Sequence, residues 1–281
     1  AQGSNIWRNR ELQENGEQGK PIAWGEEVKM KNEALQIAKE ADVIVCAMGE
    51  TADMSGECAS RTNLEMPDVQ QELLAELAKM GKPVVLLNFA GRPTVLSWEN
   101  EHIPAIMNVW FGGSEVGDAL CDVIFGDKVP SGKLTTSMPK TTGQEPLYYN
   151  HQNTGRPVPD DNQKFAKFAS NCLDVSNGPL YPFGYGLSYT TFEYGDLKLS
   201  SHEVNMDDWK ITATINVKNT GCRDADEVVQ LYIRDMVASI SRPVKELKGF
   251  QRIHLAAGES REISFDITPE MLKFYNAELK H

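Results

Sequence analysis

Long apolar runs, clustered basic residues and paired cysteines are all scarce in this sequence. Its longest apolar stretches, Val43–Met48, Val84–Leu87 and Ala105–Trp110, fall well short of the roughly 20 residues that a membrane-crossing helix requires. No membrane partner is therefore expected. The chain has 28 Lys+Arg against 40 Asp+Glu, a formal net charge of −12. A phosphate backbone or an anionic surface needs clustered cations, so a nucleic-acid partner is not expected either. No basic stretch followed by an apolar run opens the chain, but the chain begins at Ala1 rather than Met. The polar segment 1–26 therefore reads as the interior of a longer polypeptide, and a missing leader says little.

The 5 cysteines, at 46, 58, 121, 172 and 222, are an odd number and include no C-x-x-C pair. A fully paired disulfide framework and a zinc site are both disfavoured, and buried free thiols are the plain reading. The 5 histidines, at 102, 151, 202, 254 and 281, are scattered, with none at ligand spacing to another, so no metal and no cofactor is expected. No G-x-G-x-x-G fingerprint and no nucleophile elbow occurs.

What remains has an ordinary globular composition, 41% hydrophobic and 24% charged over 281 residues, enough for about two domains. From Val28 to Pro139 helical and strand-like segments alternate. Val28–Ala41 sets Ala34, Ile37, Ala38 and Ala41 on one helical face, and Asp42–Met48 follows as a strand. Pro67 suits a first helical turn, Leu73, Leu74 and Leu77 recur at helical spacing, and Gly81 ends that helix. Pro83–Phe89 is a continuous apolar run, as for a strand covered on both faces. A short helix at Thr94–Asn100, a strand at Ala105–Trp110 and a helix at Glu115–Phe125, with Val116, Ala119, Leu120 and Val123 buried, complete a pattern that predicts a parallel sheet flanked by helices.

Residues 140–190 show no convincing period and crowd Gly, Pro, Asn and Tyr. This length without regular structure is expected of an ordered connector, here one wrapped on the first domain. After Phe192 the period turns towards two. Ile211, Ala213, Ile215 and Val217 alternate with polar residues, Asn219-Thr220-Gly221 turns the chain, and Val228–Ile233 and Ile263–Ile267 alternate in the same way. This predicts an antiparallel β-sandwich with five or six countable strands, where about seven are usual.

The chemistry-bearing candidate is the loop Met48-Gly49-Glu50-Thr51-Ala52-Asp53-Met54-Ser55-Gly56-Glu57-Cys58-Ala59-Ser60-Arg61. It follows the first strand and so lies beyond the carboxyl end of a parallel sheet, where functional loops of such folds sit. A carboxylic acid there, covered by a second surface, suits general acid catalysis. On composition alone the plainer alternative is a solvated loop in which Glu50 or Asp53 caps something and Arg61 pairs with Glu57. Gly112-Gly113 reads as a tight turn rather than an anion cradle. Tyr148-Tyr149-Asn150-His151-Gln152-Asn153 mixes rings and amides in a way that suits either sugar stacking or loop packing. Trp98 and Trp110 are most economically core or interface residues.

Several motifs resemble one family. Gly49-Glu50, then Glu57-x-x-x-Arg61-Thr62-Asn63-Leu64 and Pro67-x-x-Gln70, are similar to the second domain of glycoside hydrolase family 3 β-glucosidases. The likeness continues through Gly81-Lys82-Pro83-Val84-Val85, Gly91-Arg92-Pro93 and Trp110-Phe111-Gly112-Gly113-Ser114-Glu115. It is strongest at Pro130-Ser131-Gly132-Lys133-Leu134, Asn153-Thr154-Gly155-Arg156-Pro157 and Leu180-Tyr181-Pro182-Phe183-Gly184-Tyr185-Gly186-Leu187-Ser188-Tyr189. Ser241-Arg242-Pro243-Val244-Lys245-x-Leu247-Lys248-Gly249-Phe250 resembles the family's fibronectin type III-like third domain. The bacterial periplasmic branch is the nearest likeness.

The resemblance implies an α/β sandwich with a mostly parallel sheet, followed by a fibronectin type III-like β-sandwich. The expected division is a linker at 1–26 from an N-terminal barrel absent from this chain, an α/β domain with its connector at 27–190, and a fibronectin-like domain at 191–281, incomplete at its C-terminus. An incomplete sandwich has an unpaired edge, which admits a homodimer. In the family the nucleophile is an aspartate on the barrel and the general acid/base a glutamate on the second domain's loop. The match makes Glu57 the expected acid/base, with Glu50 second. A direct Arg61–Glu57 pair would oppose acid catalysis, so Arg61 is expected to point elsewhere, towards Asp53. The implied function is the acid/base-bearing part of a retaining, exo-acting β-glucosidase. Its expected partners are a β-glucoside or oligosaccharide and the barrel of the same protein, its setting is periplasmic or secreted, and the fragment alone should be inactive. The alternative is a non-catalytic carbohydrate-binding or assembly module.

Overall fold

The structure is a computed structural model that describes residues 24–51, 54–163, 165–205 and 209–280. Most of the expected linker at 1–26 lies outside these residues, as does Asp53. The described residues fall into two compact units. One runs up to Val116 and takes in Met138–Pro146. The other comprises Gly117–Ser137 and the described residues from Leu147 onward. The expected connector at 140–190 is thus divided between them.

In the first unit, α1 (Trp24–Glu40), β1 (Ile44–Gly49), α2 (Asp68–Ala78), β2 (Val84–Phe89), α3 (Ser97–His102) and β3 (Ala105–Asn108) follow one another along the chain. The three strands pair in the order β1-β2-β3, all parallel, with Ile44 opposite Val84 and Val85 opposite Ala105. Helical periodicity predicted α2 because Leu73, Leu74 and Leu77 share a face, and that face is buried together with Val69. Central β2 is apolar on both faces, and Val84, Leu86 and Leu87 are buried. Each such side chain contributes about 1.5–3 kcal/mol on leaving water, which is what holds the sheet to its helices. Pro67 precedes α2 in an extended conformation, and Gly81 at φ 70° reverses the chain after it.

Two expectations of burial need correction. In α4 (Val116–Ile124) no residue is buried, and Ala119 is exposed. Periodicity identifies which residues share a helical face but not what covers that face. Of the cysteines only Cys46 is buried; Cys58, Cys121, Cys172 and Cys222 are exposed. An odd, unpaired count says nothing of burial where cysteines fall in turns.

The second unit contains β4 (Phe192–Tyr194), β5 (Lys198–Leu199), β6 (Ile211–Asn219), β7 (Ala225–Ile233), β8 (Glu246–Leu255), β9 (Ser260–Ile267) and the short α5 (Pro269–Leu272). β4 and β5 pair with successive parts of β6, and β9 pairs with β6 along its length. β7 and β8 form a second antiparallel sheet, with a bulge between Leu231 and Tyr232. The alternating residues of β6, β7, β8 and β9 meet in one core of Val217, Val229, Ile253, Leu255 and Ile263. Tyr149 stacks on Phe183 with centroids 4.1 Å apart and meets the edge of Tyr232, so this ring of the aromatic loop serves packing, while Tyr148 is exposed.

Candidate functional site

β1 ends at Gly49, and the next residues leave the carboxyl end of the sheet. Gly49 has φ 129°, and a β-carbon there would lie 1.9 Å from the Phe89 carbonyl oxygen. Only glycine admits this close approach of the β1 and β2 ends. Gln70 of α2 caps the end of the strand reciprocally. The Gly49 amide donates to Gln70 Oε1 at 2.7 Å, and Gln70 Nε2 donates to the Gly49 carbonyl at 3.0 Å.

Glu50 is therefore carried inward. It is 6% exposed, and its own amide donates to the Phe89 carbonyl at 2.6 Å. Its Oε1 accepts from Arg61 Nη1 at 2.8 Å and lies 2.9 Å from Arg92 Nε, the latter an ion pair without hydrogen-bond alignment. Its Oε2 accepts from the Gly91 amide at 3.1 Å. A buried carboxylate is tolerable when cations and donors surround it in this way. Arg61 also donates to the Glu65 carbonyl. Arg61 thus pairs with Glu50 rather than Glu57, and the expected contact with Asp53 lies outside the described residues.

Glu57 meets the opposite conditions. It is exposed, between Gly56 at φ 143° and Cys58 at φ 61°. A non-glycine residue in the left-handed region costs about 1–2 kcal/mol, so this turn must be held by its surroundings. Among the described residues, no hydrogen bond or ion pair engages the Glu57 carboxyl. Around it, the Met54 amide donates to the Thr51 carbonyl at 3.1 Å, and the Ala59 amide to the Gly56 carbonyl at 3.3 Å. Arg92 Nη2 donates to the carbonyls of Met54 at 2.5 Å and Ala59 at 2.8 Å. Of the residues first considered, the structure brings Glu50 and Arg61 together and leaves Glu57 apart on the outer turn.

In the sequence Arg92 is part of the Gly91-Arg92-Pro93 motif, which by itself gives the side chain no role. Its position just after β2, beside the loop that follows β1, was the available signal. Glu99 on α3 was also missed. It is 1% exposed, its Oε1 accepts from Gln71 at 3.2 Å and its Oε2 has no partner. Burial raises its pKa above the usual carboxylate range.

Two cavities accompany these features. One of about 670 Å³ runs along β1 and is lined by Ala34, Ile37, Val43, Val45, Cys46 and Glu50. Its apolar walls include the Cys46 thiol, whose pKa burial pushes up to about 11. The other, of about 330 Å³, lies in the second unit beside Tyr194, Glu227 and Tyr232. There Glu227 accepts from the Tyr194 hydroxyl at 2.8 Å and lies 3.1 Å from Lys133 Nζ, an unaligned ion pair. Burial, followed by the Glu227 hydrogen bond, raises the Tyr194 pKa, so this group stays a neutral donor. Among the described residues no group of three or more His, Cys, Asp or Glu is placed to hold a metal ion, and no helix is long and apolar enough to cross a membrane.

The family model described as the glycosyl hydrolase family 3 C-terminal domain matches residues 8–189. The chain belongs to glycosyl hydrolase family 3. A second model, the fibronectin type III-like domain, matches residues 227–281, in agreement with the antiparallel sheets of the second unit. Among family 3 proteins, the chain is 49% identical over 252 residues to the periplasmic beta-glucosidase of Salmonella typhimurium, covering 90% of this chain and 32% of that one. It is 41% identical over 249 residues to a beta-xylosidase of Formosa agariphila, covering 88% of this chain and 33% of the relative. The crystal structure of a beta-glucosidase from Listeria innocua in complex with isofagomine superposes with TM-score 0.82 at 40% identity, covering 93% of this chain and 36% of that chain. The same Listeria enzyme has been crystallised with glucose. This chain thus spans about a third of the length of the family 3 relatives it matches.

Proposed function

We propose that this chain is part of a retaining, exo-acting β-glucosidase and that it supplies the general acid/base, Glu57. The observation that carries the assignment is the contrast between the two loop glutamates. Glu50 has both carboxyl oxygens taken by Arg61, Arg92 and the Gly91 amide inside the domain. Such a group holds structure and has no freedom to approach a leaving group. Glu57 is exposed on the outer turn with its carboxyl unengaged among the described residues.

Retention requires a second carboxylate about 5–5.5 Å from the acid/base to form the glycosyl–enzyme intermediate. That nucleophile belongs to the portion of the protein outside this chain. In the first step Glu57 gives its proton to the glycosidic oxygen as the C1–O bond breaks and the nucleophile bonds to C1. In the second, Glu57 takes a proton from water, which attacks C1 and releases the enzyme. Apposition of a second surface over the turn removes water from the site and makes the proton transfer effective. The name of the Salmonella relative supports a periplasmic setting for this protein as well.

In the full-length protein, Glu57→Gln is expected to lower kcat for alkyl β-glucosides by about 10²–10⁴-fold, because these leaving groups need protonation. Dinitrophenyl β-glucoside, which does not, should lose far less in glycosylation. Equal loss with both substrates would move the acid role to another residue. The 281-residue chain alone should not hydrolyse either substrate.

A further inference from the structure

We propose that Arg92 is the positioning residue of the acid/base turn. It acts as a clamp that closes the segment 54–59 at both ends and thereby fixes where Glu57 stands. This rests on the assignment of Glu57 made above.

The geometry is that of a chord across a loop. A single nitrogen, Arg92 Nη2, donates to the carbonyls of Met54 and Ala59, at 2.5 and 2.8 Å. These carbonyls bracket Glu57 on either side. The same guanidinium places Nε 2.9 Å from Glu50 Oε1, so the chord is tied to the buried carboxylate at the end of β1. The backbone next to Arg92 takes part as well. The Gly91 amide donates to Glu50 Oε2, and a β-carbon on Gly91 would lie 1.8 Å from Ser55 Oγ, so the turn rests directly on the chain beside Arg92. Met54, at the near end of the chord, is 6% exposed. The segment is thus pinned at its ends and stands free only at its tip.

Arginine suits this task and lysine does not. The planar fork has several N–H groups in fixed directions, so one side chain can serve two carbonyls and a carboxylate together. An ammonium on a flexible stem can pair with Glu50 but cannot hold that geometry. A proton donor displaced by about 1 Å from its productive position can lose about 10²-fold in rate. Loosening of the clamp should therefore appear in the protonation-dependent step rather than in substrate binding.

The test uses Arg92→Lys, which keeps a cation beside Glu50, with Arg92→Met as the harsher variant. In the full-length protein, hydrogen–deuterium exchange of the Met54 and Ala59 amides, which donate to the Thr51 and Gly56 carbonyls, is expected to accelerate about 10-fold or more in Arg92→Lys, with β1–β3 unchanged, since the hydrogen bonds that hold the turn are lost locally. Unchanged exchange at Met54 and Ala59, or acceleration spread equally over β1–β3, overturns the clamp. In the full-length protein, Arg92→Lys is expected to lower kcat/KM, which reports the glycosylation step, about 10²-fold more for an alkyl β-glucoside than for dinitrophenyl β-glucoside. Equal losses on the two substrates overturn the positioning role. Glu57→Gln measured alongside keeps the two assignments separate: a failure of its leaving-group dependence removes the acid role of Glu57, while the exchange data judge the clamp independently.

Discussion

Glu99 shows how far a single side chain can depart from what its residue type suggests. It lies on α3 with 1% exposure, one oxygen accepts from Gln71, the other has no partner, and burial raises its pKa. A carboxyl whose folded pKa is raised binds its proton more tightly in the folded than in the unfolded state. Its burial is therefore cheapest below the unfolded pKa, and stability falls as pH rises from there through the folded value. Glu99→Gln removes the charged form. The variant is expected to match the parent near pH 4 and to exceed it at pH 8 by about 1–3 kcal/mol, the cost of an unsatisfied buried polar group. Urea unfolding across that pH range measures the difference, and a constant offset at all pH values would contradict it. The same contrast between residue type and environment separates Glu50 from Glu57. Both are glutamates on one glycine-bearing loop, and the sequence held no sign of which would be buried except that Glu50 adjoins the end of an apolar strand.

At the scale of elements, the carboxyl ends of β1 and β2 approach each other closely. The strands pair from Ile44 opposite Val84 to Gly49 opposite Phe89. At the last pair, a β-carbon on Gly49 would lie 1.9 Å from the Phe89 carbonyl oxygen at a φ of 129°. Gly49→Ala is expected to cost about 2 kcal/mol or more, because overpacking and backbone strain add. It should also raise exchange at Gly91 and at the turn 54–59, since Glu50 follows directly. Denaturant unfolding with exchange readout tests this, and a neutral substitution would mean the strand ends can part without consequence.

The elements themselves were largely legible. Continuous apolar runs marked β1, β2 and β3, and leucines at helical spacing marked α2, although only β2 is buried on both faces: β1 alternates buried and exposed residues, and no residue of β3 is buried. The sandwich strands β6, β7 and β9 were legible from their alternation. The environment of α4 was not, since its apolar face is set by periodicity but its cover is not. The role of Arg92 was hidden too, because its partners are backbone carbonyls, which any sequence supplies.

At the scale of the whole molecule, the first compact unit is not contiguous in sequence. It runs up to Val116 and is joined by Met138–Pro146, while Gly117–Ser137 belongs to the second unit. The returning segment is well fastened. Met138 is fully buried, the Ser97 hydroxyl donates to the Lys140 carbonyl at 2.7 Å, and the Leu64 amide donates to Thr142 Oγ1 at 3.2 Å. A chain cut after Val116 is expected to be less stable than one cut after Pro146 by at least about 2–5 kcal/mol, the cost of removing one buried methionine. Thermal melts of the two truncations measure the difference, and equal midpoints would show that the returning segment is dispensable.

That out-and-back path also constrains synthesis. Domains ordinarily fold in order as the nascent chain emerges. Here the α/β sheet can form early on the ribosome but cannot be sealed until residues through Pro146 have cleared the exit, by which time the opening of the second unit is already outside and unpaired. The turn bearing Glu57, which belongs to the earlier-made part, must therefore wait in an unfinished domain, and any pause in translation between Val116 and Met138 would lengthen that wait.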